Sequence, residues 1–351
     1  MRVVVVGATG NHGSSLVRRL SRDPEVEAIT GIARRLPTLA IPKVTWVSRD
    51  IARDPLDEAF AGADAVVHLG WLIQPGRDER TTHAVNVEGS RRVFEAAAGA
   101  GARTLVYASS VGTYSPGPKD RRVDESWPTS GISTSFYSRH KAAVERILDA
   151  FEPAHPDMRV VRIRPGLVFK REAATQIRRL FVGPFLPRAV VRRMLVPVVP
   201  DLPRLRFQAV HTDDLAEAYR LALLRPEARG AFNIAAEPVL DPTILAKVLG
   251  AKKVPVHPGL ARSAAALTFK LRLQPTEPGW LDMGLGVPLM DTGRAQRELG
   301  WEPKRTSVEA FEELFDGIRE NAGLETPPLD PSVSGPLRIR EVLTGIGQTS
   351  K

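Results

Sequence analysis

The sequence predicts an α/β chain: a doubly wound parallel sheet with helices on both faces, followed by a smaller C-terminal lobe. Three observations carry that prediction. Short runs rich in Val and Ile alternate with helical patterns. The first run opens the chain and feeds a glycine-punctuated turn. Residues able to do chemistry recur where such runs end, the edge at which open α/β sheets bind ligands.

Arg2–Val6 reads as the first strand, because four successive valines suit a strand buried on both faces. Further strands are expected over residues 26–32, 44–47, 65–69, 104–107 and 159–163, each followed by a helical pattern or a turn. After Pro165 the alternation loosens and proline and arginine rise. Residues 1–165 are therefore read as a nucleotide-binding domain, with segments near 205–235 returning to it, and 166–322 as a smaller, discontinuous substrate lobe. The short runs 232–235 and 307–319 read as elements of that lobe, and 323–351, with Pro-Pro, Ser and Gly, as a partly mobile tail.

At 351 residues the chain can bury a full core. It has no cysteine, which excludes disulfides, a thiolate nucleophile and a zinc-thiolate site. Its seven histidines are scattered, so no catalytic metal is expected. A strand starting at Arg2 leaves no room for a leader, and no apolar run approaches bilayer length, so the reading expects a soluble cytoplasmic protein. The net charge of +9 is concentrated between Arg159 and Arg206, where twelve Lys or Arg face Glu172 and Asp201. Without a helix-turn-helix pattern or interleaved stacking aromatics, nucleic acid is not the expected partner. A substrate-side rim favouring anionic or partly apolar ligands is. The aliphatic and basic stretch 181–199 suggests a weaker idea, peripheral membrane association.

Gly7, Gly10 and Gly13 punctuate the turn after the first strand, with Thr9, Asn11 and His12 beside them. Glycine lets the backbone approach a phosphate, and the helix that follows offers unpaired N–H groups and a partial positive charge. Farther along, Phe136, Ala143, Ile147 and Phe151 recur at helical spacing, with Ser133 or Thr134 as the candidate cap. That helix sets Tyr137 and Lys141 on one face. A phenol titrates near pH ~10 in water, so Lys141 one turn away would favour its phenolate and draw it toward neutrality. Ser109 and Ser110 stand where the 104–107 strand ends, placed to bond a substrate oxygen.

Taken together, these motifs resemble the extended short-chain dehydrogenases/reductases, the NAD-dependent epimerase/dehydratase family, with its Rossmann-type sheet. The match runs from Arg2 to about Arg319 and includes Gly7-x-x-Gly10-x-x-Gly13, Ser109 to Tyr114 and Tyr137-x-x-x-Lys141. It also includes Asn86-Val-Glu-Gly89, Val210 to Leu215 and Asp291 to Trp301. The resemblance implies that Tyr137 is the acid/base, Lys141 its activator and ribose ligand, and Ser110 the donor to the substrate oxygen. It places Asp50 and Ile51 at the adenine edge, Leu69, Gly70 and Trp71 along the cofactor wall, and Pro165, Leu167 and Val168 beside the nicotinamide. Asn86 would support the cofactor side; Asp213 and Asp214 are read as helix caps, and the stretch 291–301 as packing.

An acid after the second strand normally accepts the ribose hydroxyls of NAD. Here Ile32 is followed by Ala33-Arg34-Arg35, so NADP is the preferred cofactor, paired through Arg34, with NAD the alternative. Val111 and Gly112 stand where the family's dehydratases carry acids, which disfavours dehydration. The expected activity is hydride transfer at a carbonyl or secondary alcohol of a small molecule. Nucleotide-sugar epimerisation through a transient ketone is the alternative, and a non-catalytic NADP-sensing regulator is the alternative of another class. Helices within 78–98 and 134–151 are expected to pair two copies as a homodimer.

Overall fold

The computed structural model describes residues 1–73, 77–178, 197–274 and 276–331. The strands in chain order are β1 Arg2–Val6, β2 Ala28–Ala33, β3 Val44–Ser48, β4 Ala65–His68, β5 Thr104–Ala108, β6 Arg122–Val123, β7 Arg159–Pro165 and β8 Leu167–Phe169. They continue with β9 Val198–Asp201, β10 Phe207–His211, β11 Gly230–Ile234, β12 Ala236–Leu240, β13 Lys252–Pro255 and β14 Leu289–Met290. The described α-helices are α1 Asn11–Ser21, α2 Asp57–Phe60, α3 Glu79–His83, α4 Gly89–Gly99, α5 Phe136–Ala154, α6 Ala174–Ile177, α7 Thr212–Leu224, α8 Pro242–Leu249, α9 Pro258–Lys270, α10 Gly279–Gly286 and α11 Ser307–Glu320.

Seven strands form one parallel sheet in the order β11-β7-β5-β4-β1-β2-β3. The period of two sorts its side chains. Val3 and Val5 pack with Leu16, Val17 and Leu20 of α1 and Tyr219 of α7, whereas Val4 and Val6 pack with Phe94 of α4 and Leu148 of α5. Both faces are thus covered, which is why β1 needs an unbroken apolar run. The chain winds one way from β1 to β2 and the other way from β1 to β4, so the crevice at their C-terminal ends is the switch point.

The chain leaves this sheet after β7 and returns to it. β11 pairs with β7 in register from Gly230 opposite Val161 to Ile234 opposite Pro165, so the run at 232–235 belongs mainly to the large sheet rather than to the smaller lobe. The rest of that lobe is built on the three strands β12-β10-β8 and on β13-β9, with Phe169, Leu240, Phe311, Leu314 and Ile318 at its centre. Helix α11 carries a capping box, Thr306 accepting from Glu309 N while Glu309 accepts from Thr306 N.

The basic stretch does not form one rim. Arg159, Arg162, Arg164 and Lys170 are buried within the fold, each satisfied by internal acceptors. Residues 179–196, which hold Arg179, Arg188, Arg192, Arg193 and most of the stretch 181–199, lie outside the described residues, as does the tail beyond Pro331. No helix among the described residues is long and apolar enough to cross a membrane.

Candidate active site

The turn between β1 and α1 is built so that only glycine fits at two of its positions. Gly7 has φ of +80°, and a Cβ there would lie 2.7 Å from Gly70 N. At Gly13 a Cβ would lie 2.3 Å from Gly7 O, whereas at Gly10 the nearest atom is 3.4 Å away. Gly10 caps α1 without a side-chain acceptor, and the first turn carries no acid. The uncapped N–H groups and the helix dipole there suit a phosphate, so the residues present fit a dinucleotide.

Around the turn, Thr9 is buried, and Asn11 uses its amide internally, donating to Val168 O at 3.2 Å and accepting from Thr212 Oγ1 at 3.2 Å. His12 lies beside Tyr219, and burial, then Lys141 and Lys170, push its pKa down to about 3, leaving it neutral. Leu69 N donates to Val6 O, and Gly70 packs on Ile51. Asp50 accepts from Ala52 N at 3.0 Å, shaping its own turn. Arg34 is exposed after β2. Pro165 is buried, Leu167 is exposed and Val168 is half-buried. Asn86 is fully buried, accepting from Leu72 N at 2.7 Å and donating to Leu72 O at 2.8 Å. It therefore braces the loop after β4 from behind, with both ends of its amide engaged.

Ser135, rather than Ser133 or Thr134, caps α5, accepting from Ser138 N. Tyr137 follows one residue into the helix and is half-buried. Ser110 sits at the C-terminal end of β5, accepts from Gly112 N at 3.0 Å, and its hydroxyl lies near enough to the Tyr137 phenol to pull its pKa down. Ser109 turns away and donates to Glu145 at 2.6 Å. Gly112 leaves space for the phenol: a Cβ there would come within 2.9 Å of its ring. Trp280 of α10 tilts over the Tyr137 ring at 4.9 Å between centroids, and Trp71 meets it edge-on at 5.8 Å.

Lys141 does not stand against the phenol. Its ammonium donates to Ala108 O at 2.6 Å and lies 3.5 Å above the Trp71 indole, 5.9 Å from the centre of the Tyr137 ring. Burial pushes the Tyr137 pKa up from its usual 10, with Ser110 pulling it back, and holds Lys141 well below the ordinary lysine range. The expected downward pull of Lys141 on Tyr137 is not among the causes that set its pKa, and burial decides the direction.

Beneath these groups lies an ion cluster that the sequence reading missed. Glu145, fully buried one turn beyond Lys141, accepts from Arg162 at 2.9 Å and from Arg164 at 2.9 and 3.0 Å. The two guanidiniums hold its pKa down to about 2 against burial. Arg164 also donates to Tyr114 Oη, which donates to Asn233 Oδ1 at 2.6 Å. The signal in the sequence is the i, i+4 step from Lys141 to Glu145 together with the arginines Arg162 and Arg164 inside a strand that Arg159 opens.

Asp213 and Asp214 are not caps. His211 caps α7, accepting from Asp213 N, and Asp214 accepts from Arg305 N at 3.0 Å. Trp301 is fully buried and donates to Asp214 O. On the lobe side, Lys119, Arg204 and Arg206 gather with backbone carbonyls as acceptors: Lys119 donates to Arg206 O and Gly284 O, Arg204 to Leu285 O and Gly117 O, Arg206 to Lys119 O. Burial and the two arginines push Lys119 down to about 7.

Comparison with known proteins gives the site its context. The family model described as "NAD dependent epimerase/dehydratase family" matches residues 3–235. The chain is 27% identical over 328 residues to uncharacterized protein Rv2047c of Mycobacterium tuberculosis, covering 92% of this chain and spanning only 31% of that relative's length. A 3-beta-hydroxysteroid dehydrogenase of Mycolicibacterium neoaurum is 29% identical over 189 residues, 51% of each chain. In fold, the chain is similar to DesIV, a dTDP-glucose 4,6-dehydratase from Streptomyces venezuelae with NAD and TYD bound, at a TM-score of 0.68 and 21% identity over 94% of this chain and 100% of that one.

Proposed function

Because the chain belongs to the NAD-dependent epimerase/dehydratase family, we propose that it is a nicotinamide-dependent oxidoreductase interconverting a carbonyl and a secondary alcohol, with Tyr137 as proton donor and acceptor. The observation that carries this reading is the placement of the Tyr137 phenol against the Ser110–Gly112 turn at the sheet's C-terminal edge, with Lys141 one turn farther along α5. Ser110 would orient the substrate oxygen and Tyr137 would move a proton at that atom. A phenol raised above its usual pKa is protonated at neutral pH and can donate its proton to a carbonyl oxygen.

The cofactor, when bound, supplies or accepts the hydride. Gly7, Gly10, Gly13 and the start of α1 would hold its pyrophosphate, with Thr9, Asn11 and His12 shaping that turn. Asp50 and Ile51 would lie along the adenine, and Leu69, Gly70 and Trp71 along the wall that Asn86 braces. Lys141 would take the ribose, and Pro165, Leu167 and Val168 would line the nicotinamide. Arg34, exposed after β2 where an acid would favour NAD, supports a preference for NADP. The helices α4 and α5 would pair two copies.

A second reading, epimerisation of a nucleotide sugar, is favoured by Lys119, Arg204 and Arg206, whose gathering would suit a diphosphate. The aromatic walls Trp71 and Trp280 and the hydroxysteroid dehydrogenase relative favour instead a less polar alcohol or ketone. Val111 and Gly112 argue against dehydration.

The test is a panel of ketones, sterols and nucleotide sugars scored by nicotinamide absorbance, repeated with Tyr137→Phe. That variant should keep its NADPH affinity while turnover falls by about 10²–10⁴-fold. Unchanged turnover would remove Tyr137 from the chemistry, whereas dinucleotide binding with no turnover by the wild type across the panel would favour a cofactor-sensing regulator. Calorimetry should find NADPH tighter than NADH, with Arg34→Ala narrowing the gap; the reverse order would reject the NADP preference.

A further inference from the structure

We propose that Lys170 is a buried counter-charge for the dinucleotide pyrophosphate, an ammonium set beside the first turn of α1 that strengthens the glycine turn for anions. The proposal rests on the reading of that turn as the cofactor site. Lys170 follows β8 and is 3% exposed. Its Nζ donates to Asn11 O at 3.0 Å, Ser14 Oγ at 2.7 Å and Ser15 Oγ at 3.3 Å, so its three protons all go to neutral oxygens of the first turn and a half of α1. The position is pinned from the other side, because Asn11 Nδ2 donates to Val168 O two residues earlier.

An ammonium is unwelcome there in the free protein. It is removed from water, and it lies at the positive end of a helix dipole with no acid in the first turn to offset it. The charged groups that face it are Glu172 just beyond it in the chain, Asp213 on α7, Glu313 on α11 and Arg18 on α1, the first three favouring its charge and the last opposing it. Burial outweighs them and pushes its pKa down to about 8. What compensates is an anion at the helix start, within reach of the same field that helps keep His12 neutral.

Binding of a pyrophosphate would favour the charged lysine, so the complex takes up a proton wherever free Lys170 is already neutral. Affinity should then fall as pH rises through about 8. Calorimetric titration of the full chain with NADPH and with adenosine, which lacks phosphate, tests this at pH 7 and pH 9. Lys170→Met should bind NADPH about tenfold more weakly at pH 7 with adenosine unchanged, and should lose the part of the proton uptake at pH 9 that Lys170 supplies. Lys170→Arg, charged at both pH values, should hold its affinity and show the same loss of uptake. Lys141 is present in all three proteins, so the differences isolate Lys170.

Wild-type affinity and proton uptake in Lys170→Met would overturn the proposal. So would equal weakening toward NADPH and adenosine, which would make Lys170 only a brace for the turn. Should Lys170→Met not fold, undiminished proton uptake in Lys170→Arg overturns it alone. Absence of any dinucleotide binding by the wild-type chain would instead remove the cofactor reading, and this proposal with it.

Discussion

The ammonium of Lys141 lies 3.5 Å from the centre of the Trp71 indole and 2.6 Å from the Ala108 carbonyl oxygen. The lysine of the Tyr-x-x-x-Lys helix is therefore clasped between an aromatic face from the loop after β4 and the end of β5. A cation held this way is sheltered from water, and a group that hydrogen-bonds to it does so beside the ring.

That arrangement makes Trp71 a reporter. If Lys141 receives the ribose, saturation with the oxidised dinucleotide should change the chain's tryptophan emission, and Trp71→Phe should abolish most of the change while Trp280→Phe leaves it. An emission change of equal size in Trp71→Phe would show that the indole stays where it is.

Glu145 anchors the polar layer beneath the site. Removing its carboxylate leaves Arg162 and Arg164 buried and uncompensated, so Glu145→Ala should cost about 3–5 kcal/mol in urea unfolding. Its folded pKa of about 2 lies below the unfolded value of about 4.3. The stabilisation is thus fully present above the unfolded value and is lost as pH falls from there toward 2. Melts between pH 7 and pH 3 should steepen in the wild type more than in Glu145→Gln; identical curves would contradict the assignment.

The glycine turn separates two substitutions of the same size. Gly13→Ala drives a Cβ to 2.3 Å from Gly7 O, and should destabilise the chain by about 1–3 kcal/mol or more and abolish dinucleotide binding. Gly10→Ala meets its nearest atom at 3.4 Å and should fold with far less loss. Equal unfolding midpoints would mean that the turn relaxes around either methyl.

The parallel sheet was legible because β1, β4 and β5 are buried on both faces and so carry apolar runs that little else explains. The start of β2 was placed two residues early, since Val26 is apolar and buried but belongs to the turn closed by its bond to Asp23 O. Ser110, Tyr137 and Lys141 could be brought together on paper by strand ends and helix spacing. The direction of the Lys141 side chain could not, because it depends on Trp71, which arrives from a different loop. The bonds of Asn86 were not legible for a related reason: whether an amide faces a ligand or the backbone is decided by a neighbour fourteen residues away. The basic stretch read as a surface because charge counts carry no burial, and partners such as Glu145 and the carbonyls around Arg159 are distant in sequence.

The pairing of β11 with β7 gives the fold two fixed moorings, at Pro165 and at Gly230, on either side of a long excursion. Of the material between them, α7 stays with the sheet because Leu215, Tyr219 and Leu223 pack in its core, so novelty in ligand choice can arise in the stretch before β10 without refounding the sheet. Truncation at the first mooring would have the opposite effect. It would bare β7 as a raw edge and strip Arg159 of the carbonyls at Ala222, Leu223 and Ala228, inviting strand-to-strand aggregation instead of a free-standing half.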